Sequence, residues 1–308
     1  MALMRSLLLA ASQNAWLRNN AVNFPFVRRS VSRFMPGETL DSALAAAQTL
    51  LQKRIGTVFT HLGENVTDRA EARNVSDRYR EILLRIGQAQ LSAEISVKLT
   101  QLGLDLSPDL CYANLESILE HSCGTTVWID MEASGYVDAT LDIYKRALKN
   151  HRNAGVCLQS YLYRTRKDLR DLLSVHPAIR LVKGAYKEPS SVAFPRKSDV
   201  DQSYFALAQE LLRARTTGTC SRVAFGTHDA KLIRRIGDFV AQQGMSKAEL
   251  EVQMLYGIQR AEQERLAREG CRSIVLVAYG TYWYPWFVRR LAERPANVWF
   301  LLRNVLAS

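Results

Sequence analysis

Two adjacent arginines, Arg289 and Arg290, follow a run of aromatic residues late in the sequence. The stretch YGTYWYPWFVRR, residues 279–290, places six aromatic side chains in front of the pair. A guanidinium group is a planar fork of donors whose geometry suits carboxylates and phosphates. The ordinary alternatives are a solvated arginine pair and an aromatic stripe that packs into the core. This stretch alone leaves open whether the pair binds a ligand or has one of those ordinary roles.

Polar side chains also mark the points where the predicted strands end. One polar residue where a strand leaves the core is ordinary, but a large set of them predicts an active site. The set consists of Glu64, Lys98, Asp130, Gln159, Lys183, Tyr186, Thr227, His228 and Gln253, with the apolar Leu255 beside the last of them.

Lys183, in the stretch RLVKGAY, suggests one specific chemistry. A desolvated lysine at a strand end can form a Schiff base with a carbonyl substrate, and Lys98 is a second candidate for that role. However, Gly184 and Ala185 follow Lys183 directly and indicate that the backbone approaches something bulky. A flat cofactor with a polar tail fits that approach better than a small aldehyde does.

The elements that must position these residues are short apolar strands that alternate with longer helices. Such strands predict a parallel sheet, and eight strand–helix units fit an α/β fold of the closed (β/α)8 TIM-like barrel type. Chemistry in that barrel is located at the carboxyl ends of the strands. A doubly wound open sheet is the structural alternative, but no G-x-G-x-x-G follows the first strand. The predicted strands lie in residues 56–63, 93–99, 125–131, 154–161, 178–186, 221–228, 249–257 and 272–280.

The chain is predicted to divide into an N-terminal helical arm, residues 1–55, and the barrel as catalytic domain, residues 56–308. The clearest helix of the arm lies in GETLDSALAAAQTLLQKRI. The first 37 residues contain five arginines and no acidic residue, a composition typical of transit peptides. A short amphipathic helix that packs on the body of the protein is the favoured interpretation, so a cytoplasmic location is preferred over the mitochondrial matrix.

Composition and charge exclude several classes of protein. A hydrophobic fraction of 47% and a charged fraction of 23% allow a sizeable core and argue against disorder. Five scattered cysteines fit a reducing compartment, and the five histidines have no metal-ligand spacing, so no metal site is predicted. The net charge of +11 would attract nucleic acid, an anionic membrane surface or an acidic ligand. No nucleic-acid-binding signature accompanies it, so no nucleic-acid partner is predicted.

Nine motifs together resemble the flavin-dependent proline dehydrogenases of the monofunctional bacterial type. The resemblance covers roughly residues 33–303 and implies a distorted barrel that holds FAD against the strand ends. The motifs are GETLDSALAAAQTL, HLGENV, ISVKL, WIDME, LQSYL, RLVKGAY, FGTHD, VQMLYGI and FVRRLAERPANV, in that order.

The resemblance also implies roles for individual residues. The arginine pair grips the substrate carboxylate, supported by Lys98, while Glu64 pairs with the first arginine and gates the site. The implied substrate-binding residues are Lys98, Asp130, Tyr186, Leu255, Leu276, Trp286, Arg289 and Arg290. The implied cofactor-binding residues are Gln159, Arg180, Val182, Lys183, Gly184, Ala185, Thr227, His228, Gln253, Leu255 and Glu293, with Arg196 and Lys197 on a looser match. Glu293 is also expected to orient the arginine pair.

Three positions depart from the family pattern. Leu276 and Trp286 stand where the family has tyrosines, and Ala278 stands where proline is common. The first tyrosine usually donates a hydrogen bond to Asp130, and leucine cannot do so. Asp130 therefore needs another partner or a water molecule in this chain, and the side of the pocket that contacts the substrate ring differs from the family.

The function implied by the resemblance is oxidation of L-proline to Δ1-pyrroline-5-carboxylate by hydride transfer to FAD. Reduced flavin would then pass electrons to a quinone or another acceptor, with the protein in peripheral contact with the inner face of a membrane. Three alternatives stay open. They are a biosynthetic relative that oxidises a modified or different cyclic amino acid, a flavin-free lysine Schiff-base barrel enzyme, and a basic membrane- or nucleic-acid-binding module on an inactive barrel.

Overall fold

The computed structural model describes residues 31–63, 65–284 and 286–288. Within them, eight parallel strands pair in chain order, and the last strand pairs with the first, which closes a barrel. Each predicted strand segment contains one of these strands, so the predicted (β/α)8 fold is confirmed. The strands are β1 (Gly56–His61), β2 (Ala93–Val97), β3 (Val127–Ile129), β4 (Ala154–Gln159), β5 (Ala178–Val182), β6 (Arg222–Gly226), β7 (Glu251–Leu255) and β8 (Arg272–Tyr279).

Helices precede β1 and follow each of the first seven strands. Their starts carry the expected capping residues. Ser107 accepts a hydrogen bond from the Leu110 amide in front of Pro108, and Asp229 accepts from the amides of Lys231 and Leu232. The helices are α1 (Leu40–Leu51), α2 (Arg69–Gln88), α3 (Pro108–Glu120), α4 (Val137–Leu148), α5 (Thr165–Leu173), α6 (Lys197–Thr216), α7 (Ala230–Gln242) and α8 (Arg260–Arg268), with short 3-10 helices at Ser134–Tyr136 and Lys247–Glu249.

The barrel interior is filled by one large ring and by charged groups above and below it. The Trp128 indole is fully buried, and a Cβ at Gly155 on the neighbouring strand would lie 2.6 Å from it. Glycine at that position therefore makes room for the ring. The guanidinium carbons of Arg180 and Arg222 each lie 5.1 Å from the ring centroid, a cation–π distance. The interior thus places the buried Arg180 at the level of the predicted active site.

Residues before β1 pack against the end of the described chain. The indole Nε1 of Trp283 donates to the Glu38 carboxylate at 2.8 Å, and the rings of Phe34 and Phe287 are 6.2 Å apart. Part of the aromatic run therefore forms a small core with the N-terminal segment. The division into an arm and a barrel domain remains a prediction. Among the described helices, none has the length and hydrophobicity needed to cross a membrane.

Candidate active site

Asp130 is the central anion of the site, directly after β3. Its Oδ2 accepts a hydrogen bond from Lys98 Nζ at 2.9 Å, and its Oδ1 accepts from Arg180 Nη2 at 2.5 Å. Burial alone would raise the pKa of Asp130, but the charges of Lys98 and Arg180 outweigh it and lower the pKa to about 2. Asp130 is therefore a permanent carboxylate near neutral pH. Lys98 and Arg180 therefore place two cations around this one carboxylate.

The partner that Asp130 needs in place of a tyrosine comes from β2. Ser96 is fully buried, and its hydroxyl lies 2.8 Å from Asp130 Oδ1. The Ser96 backbone oxygen in turn accepts from the Tyr79 hydroxyl at 2.9 Å. Leu276, on β8, packs among apolar side chains of the barrel. The Asp130 carboxylate thus has hydrogen-bond donors even though position 276 supplies none.

Arg180 is almost fully buried on β5, and most of its donors are engaged. Its Nε–H donates to Cys157 Sγ at 2.8 Å, and an Nη1–H donates to Gln253 Oε1 at 3.0 Å. Its Nη2 donates to Ser96 Oγ at 2.6 Å and to Asp130. A guanidinium has five N–H bonds. Four are used by described residues, which leaves one on Nη1 to reach a ligand.

A charge network below the site holds Gln253 in place. The Gln253 Nε2 donates to Glu251 Oε1 at 2.8 Å, and Glu251 accepts two further bonds from Arg222, at 2.9 and 2.7 Å. Arg222 also pairs with Glu94 at 2.6 Å. The amide of Gln253 is therefore directed at Arg180 and Glu251 within the barrel. Its predicted contact with the isoalloxazine stays a prediction.

Lys183, directly after β5, is held between two carboxylates. Its Nζ lies 2.5 Å from Asp201 Oδ1 and 2.9 Å from Asp229 Oδ2. Burial would raise the pKa of Asp229, but the hydrogen bond and charge of Lys183 lower it to about 2. Both carboxylates thus bind the Nζ atom that a Schiff base would need for attack on a carbonyl. This geometry argues against the Schiff-base alternative at Lys183.

Gly184 has the close approach that the sequence suggests, but its neighbour is a side chain. Its φ is +113°, and a Cβ there would lie 2.3 Å from ring carbons of Tyr161. The bulky group is therefore the Tyr161 ring, which follows β4. Contact of Gly184 with a cofactor remains a prediction.

Replacing Gly184 with alanine is expected to lower the free energy of unfolding by about 3 kcal/mol, through strained backbone and overpacking together. Gly218 is a matched control, because its φ is also positive, at +76°, but nothing lies within 4 Å of its Cβ position. Gly218→Ala should cost only about 1 kcal/mol of backbone strain. Urea unfolding of both variants measures the difference. Equal losses would show that the Tyr161 ring imposes no constraint.

The ends of β4, β6 and β7 carry the remaining polar groups. Gln159 Nε2 donates to the backbone oxygens of Met131 and Glu132, both at 3.1 Å. His228 Nε2 accepts from the Leu255 amide at 2.9 Å, so the proton of the neutral ring lies on Nδ1. Thr227 Oγ1 accepts from an amide at the start of α7 at 3.2 Å. These groups form one continuous polar edge at the carboxyl end of the barrel.

A flavin fits the donors and acceptors at this edge. The Oε1 atom of Gln159 is buried and has no hydrogen-bond partner among the described residues. A buried acceptor without a partner is costly, so a ligand N–H is expected to meet it. Arg180, on the neighbouring strand β5, offers its spare Nη1–H as a donor. The isoalloxazine ring system carries both an N–H and carbonyl groups, which match this pair.

The other predicted site residues are placed as follows. Val182, Ala185, Tyr186 and Leu255 are half-buried around the strand ends, and Trp286 is buried. Arg196 and Lys197 are exposed at the start of α6 and pair with nearby aspartates, Arg196 Nε with Asp199 at 2.8 Å. The predicted roles of Glu64, Arg289, Arg290 and Glu293 fall outside the described residues.

Sequence reasoning missed four residues of the site: Ser96, Cys157, Asp201 and Asp229. Two of them had a detectable signal. Ser96 and Cys157 each precede a predicted site residue, Lys98 and Gln159, by two positions. Because side chains of a strand alternate between its two faces, such residues share a face. Only the fold brings the other two to Lys183, Asp201 from α6 and Asp229 from the residue in front of α7.

Comparisons with known proteins agree on one family. A family model described as proline dehydrogenase matches residues 43–303. Proline dehydrogenase 1 of Bacillus subtilis is 37% identical over 307 residues, which cover 99% of both chains. The proline dehydrogenase of Deinococcus radiodurans is 37% identical over 281 residues, or 89% of both chains.

A solved structure shares the fold. Proline utilization A (PutA) from Bdellovibrio bacteriovorus, inactivated by N-propargylglycine, superposes with a TM-score of 0.80 at 23% identity. The alignment covers 87% of this chain and 33% of that one, so the chain spans about a third of the longer protein. The closed barrel described above is therefore also the fold of part of that protein.

Proposed function

Because the chain belongs to the proline dehydrogenase family, we propose that it oxidises L-proline to Δ1-pyrroline-5-carboxylate, with FAD as its cofactor. Membership of the family implies a flavin-dependent enzyme. The observation that carries the proposal is the cluster of Lys98, Asp130 and Arg180 at the strand ends, together with the buried amide oxygen of Gln159, which has no partner among the described residues. A carboxylate substrate and a flavin ring both suit these groups.

The chain's residues bind and orient the substrate. Lys98 offers a cation for the substrate carboxylate, together with the predicted arginine pair at positions 289 and 290. Asp130 holds Lys98 and Arg180 in place, and its low pKa means that it neither gives nor takes a proton near neutral pH. The substrate amine must be neutral, and its oxidation removes a hydride from the ring carbon beside nitrogen and a proton from nitrogen. Bound FAD would supply the acceptor for that hydride.

A second candidate substrate is a modified or different cyclic amino acid. The departures at Leu276 and Trp286 favour it, because both residues are expected to line the substrate ring. Leu276 pairs in register with Leu255 on β7 and with Val58 on β1, and its side chain is half-buried. An apolar group in place of a phenol changes the shape and polarity of that wall. Lys98, Arg289 and Arg290, which are expected to bind the carboxylate, are all present in the sequence.

The electron acceptor that we propose is a membrane quinone, reached by peripheral contact of a cytoplasmic protein with the inner face of the membrane. The net charge of +11 supports contact with anionic lipid, because basic surfaces are attracted to such leaflets. Reoxidation of the proline-reduced flavin by a quinone would show that the acceptor and the substrate react with the same flavin.

One spectroscopic experiment tests the proposed function. The purified protein should be yellow, and anaerobic addition of L-proline should bleach the flavin absorbance band. A short-chain quinone should then restore it. Azetidine-2-carboxylate, pipecolate and hydroxyprolines, compared by the rate of bleaching, identify the preferred ring. A colourless protein that borohydride plus an aldehyde inactivates would instead indicate a Schiff-base enzyme, and a yellow protein that none of these amino acids bleaches would contradict the proposal.

A further inference from the structure

The side chain of Cys157 lies under the site, against the buried arginine. It is on β4, is 3% exposed, and its Sγ accepts the Nε–H of Arg180 at 2.8 Å. The same sulfur lies 3.7 Å from Asp130 Oδ1, within reach of a thiol hydrogen bond. The thiol therefore touches both members of the Arg180–Asp130 ion pair.

Nε carries the N–H nearest the stem of the arginine, and its bond to Cys157 Sγ is one of the four that orient the guanidinium plane. The bonds of Nη1 and Nη2 to Gln253 and Ser96 lie on the outer part of the fork. Without an acceptor at Nε, three bonds remain to orient the plane, and the direction of the spare Nη1–H is less firmly fixed. A buried donor left without an acceptor is also costly.

We propose that Cys157 is a positioning residue for the reaction, which acts through Arg180. The inference rests on the proposed function, since it gives the direction of Arg180 a role in binding and tuning the flavin. Cys157 and Ser96 together also supply Asp130 with donors where this chain has Leu276 in place of a tyrosine. The departure at position 276 is thus balanced inside the barrel by side chains of β2 and β4.

The thiol has the protonation state that this role needs. Burial raises the pKa of Cys157 to about 11, although the Arg180 charge acts in the opposite direction. Cys157 is therefore a neutral thiol near pH 7, with lone pairs for the Nε–H and a proton to donate. A serine at this position would keep both functions, whereas an alanine would keep neither.

Cys220 is a matched control within the same barrel. It is also fully buried, and its Sγ lies 3.2 Å from the Pro177 backbone oxygen, away from the charged cluster. Cys220→Ala removes the same atom and leaves a similar cavity. A merely structural role for Cys157 predicts the same consequences for both alanine variants.

The experiment compares Cys157→Ala, Cys157→Ser and Cys220→Ala for flavin affinity and for flavin reduction potential by dye-coupled titration. Cys157→Ala is expected to bind flavin about fivefold more weakly, the loss typical of one buried hydrogen bond. Its potential should fall, because a less well directed cation stabilises reduced flavin less. Cys157→Ser should restore both values, and Cys220→Ala should leave both unchanged while unfolding more easily.

Combining Cys157→Ala with Arg180→Lys shows whether the two residues act together. If Cys157 acts through Arg180, the cysteine change adds little to the potential shift once the guanidinium is absent. Fully additive shifts would overturn the inference, as would Cys157→Ala with the potential and affinity of the parent. A parent protein that binds no flavin would overturn the proposed function as well. If proline bleaches the flavin of the parent and Cys157→Ala has unaltered flavin affinity and potential, this inference alone is overturned.

Discussion

Replacing either Arg289 or Arg290 with lysine is expected to lower kcat/KM for proline by about 30- to 5000-fold, which corresponds to ~2–5 kcal/mol. Lysine keeps the positive charge but loses the planar fork that binds a carboxylate through two parallel bonds. The cluster of Lys98, Asp130 and Arg180 has a net charge of only one, so it does not replace the pair. Steady-state kinetics of the two variants measure the effect.

Substrate analogues identify the group that the pair binds. Tetrahydrofuran-2-carboxylate, which has the ring and the carboxylate but no amine, should bind more weakly in parallel with the loss of kcat/KM. Pyrrolidine lacks the carboxylate, so the parent and the variants should oxidise it with equal kinetics. Flavin should stay bound in the Arg289 variant, because that arginine is expected to face the substrate.

A surface arginine provides the control for the same change. Arg73 is exposed on α2, and Arg73→Lys should be silent within about ±0.5 kcal/mol of stability. If the lysine variants at positions 289 and 290 behave like Arg73→Lys and hold the inhibitor as tightly as the parent, the pair has only a surface role. The buried part of the aromatic run, which includes Trp283 and Phe287, would then serve only as core.

The barrel could be predicted from the sequence because each of its units is local. A buried strand followed by a helix leaves a hydrophobic pattern within about 30 residues, and eight repeats leave few alternatives to closure. The strand ends were found for the same reason. Lys98, Asp130 and Gln159 each follow or end a buried run, and closure of the barrel brings them to one edge.

The partners of these residues could not be predicted in the same way. Arg180 binds side chains from β2, β4 and β7 and Asp130 directly after β3, and Lys183 binds carboxylates 18 and 46 residues away. Such contacts depend on register and on side-chain direction across strands, which no spacing in one segment encodes. The Schiff-base hypothesis shows the consequence, because the lysine is visible in the sequence but its pairing with two carboxylates is not.

Asp130→Asn is expected to be the most destabilising conservative change in the site, by about 3–5 kcal/mol at pH 7. The amide keeps the shape and one acceptor oxygen but removes the charge that compensates Lys98 and the buried Arg180. It also presents an NH₂ group to cations if it turns. Asp138→Asn is the matched control, because that carboxylate is 78% exposed and pairs with Arg164 at 2.5 Å. A surface pair of this kind should contribute less than about 1 kcal/mol.

The pH dependence of the loss separates charge from packing. The pKa of Asp130 is lowered in the folded protein, from 3.8 to about 2, so its charge stabilises the fold above the unfolded value. That contribution is lost as the pH falls through the folded value. The difference in free energy of unfolding between parent and Asp130→Asn should therefore be full at pH 7 and shrink between about pH 4 and pH 2. Urea titrations across this range measure it, and a difference that stays constant into acid would mean that Asp130 stabilises the barrel through shape and hydrogen bonds, with no part played by its charge.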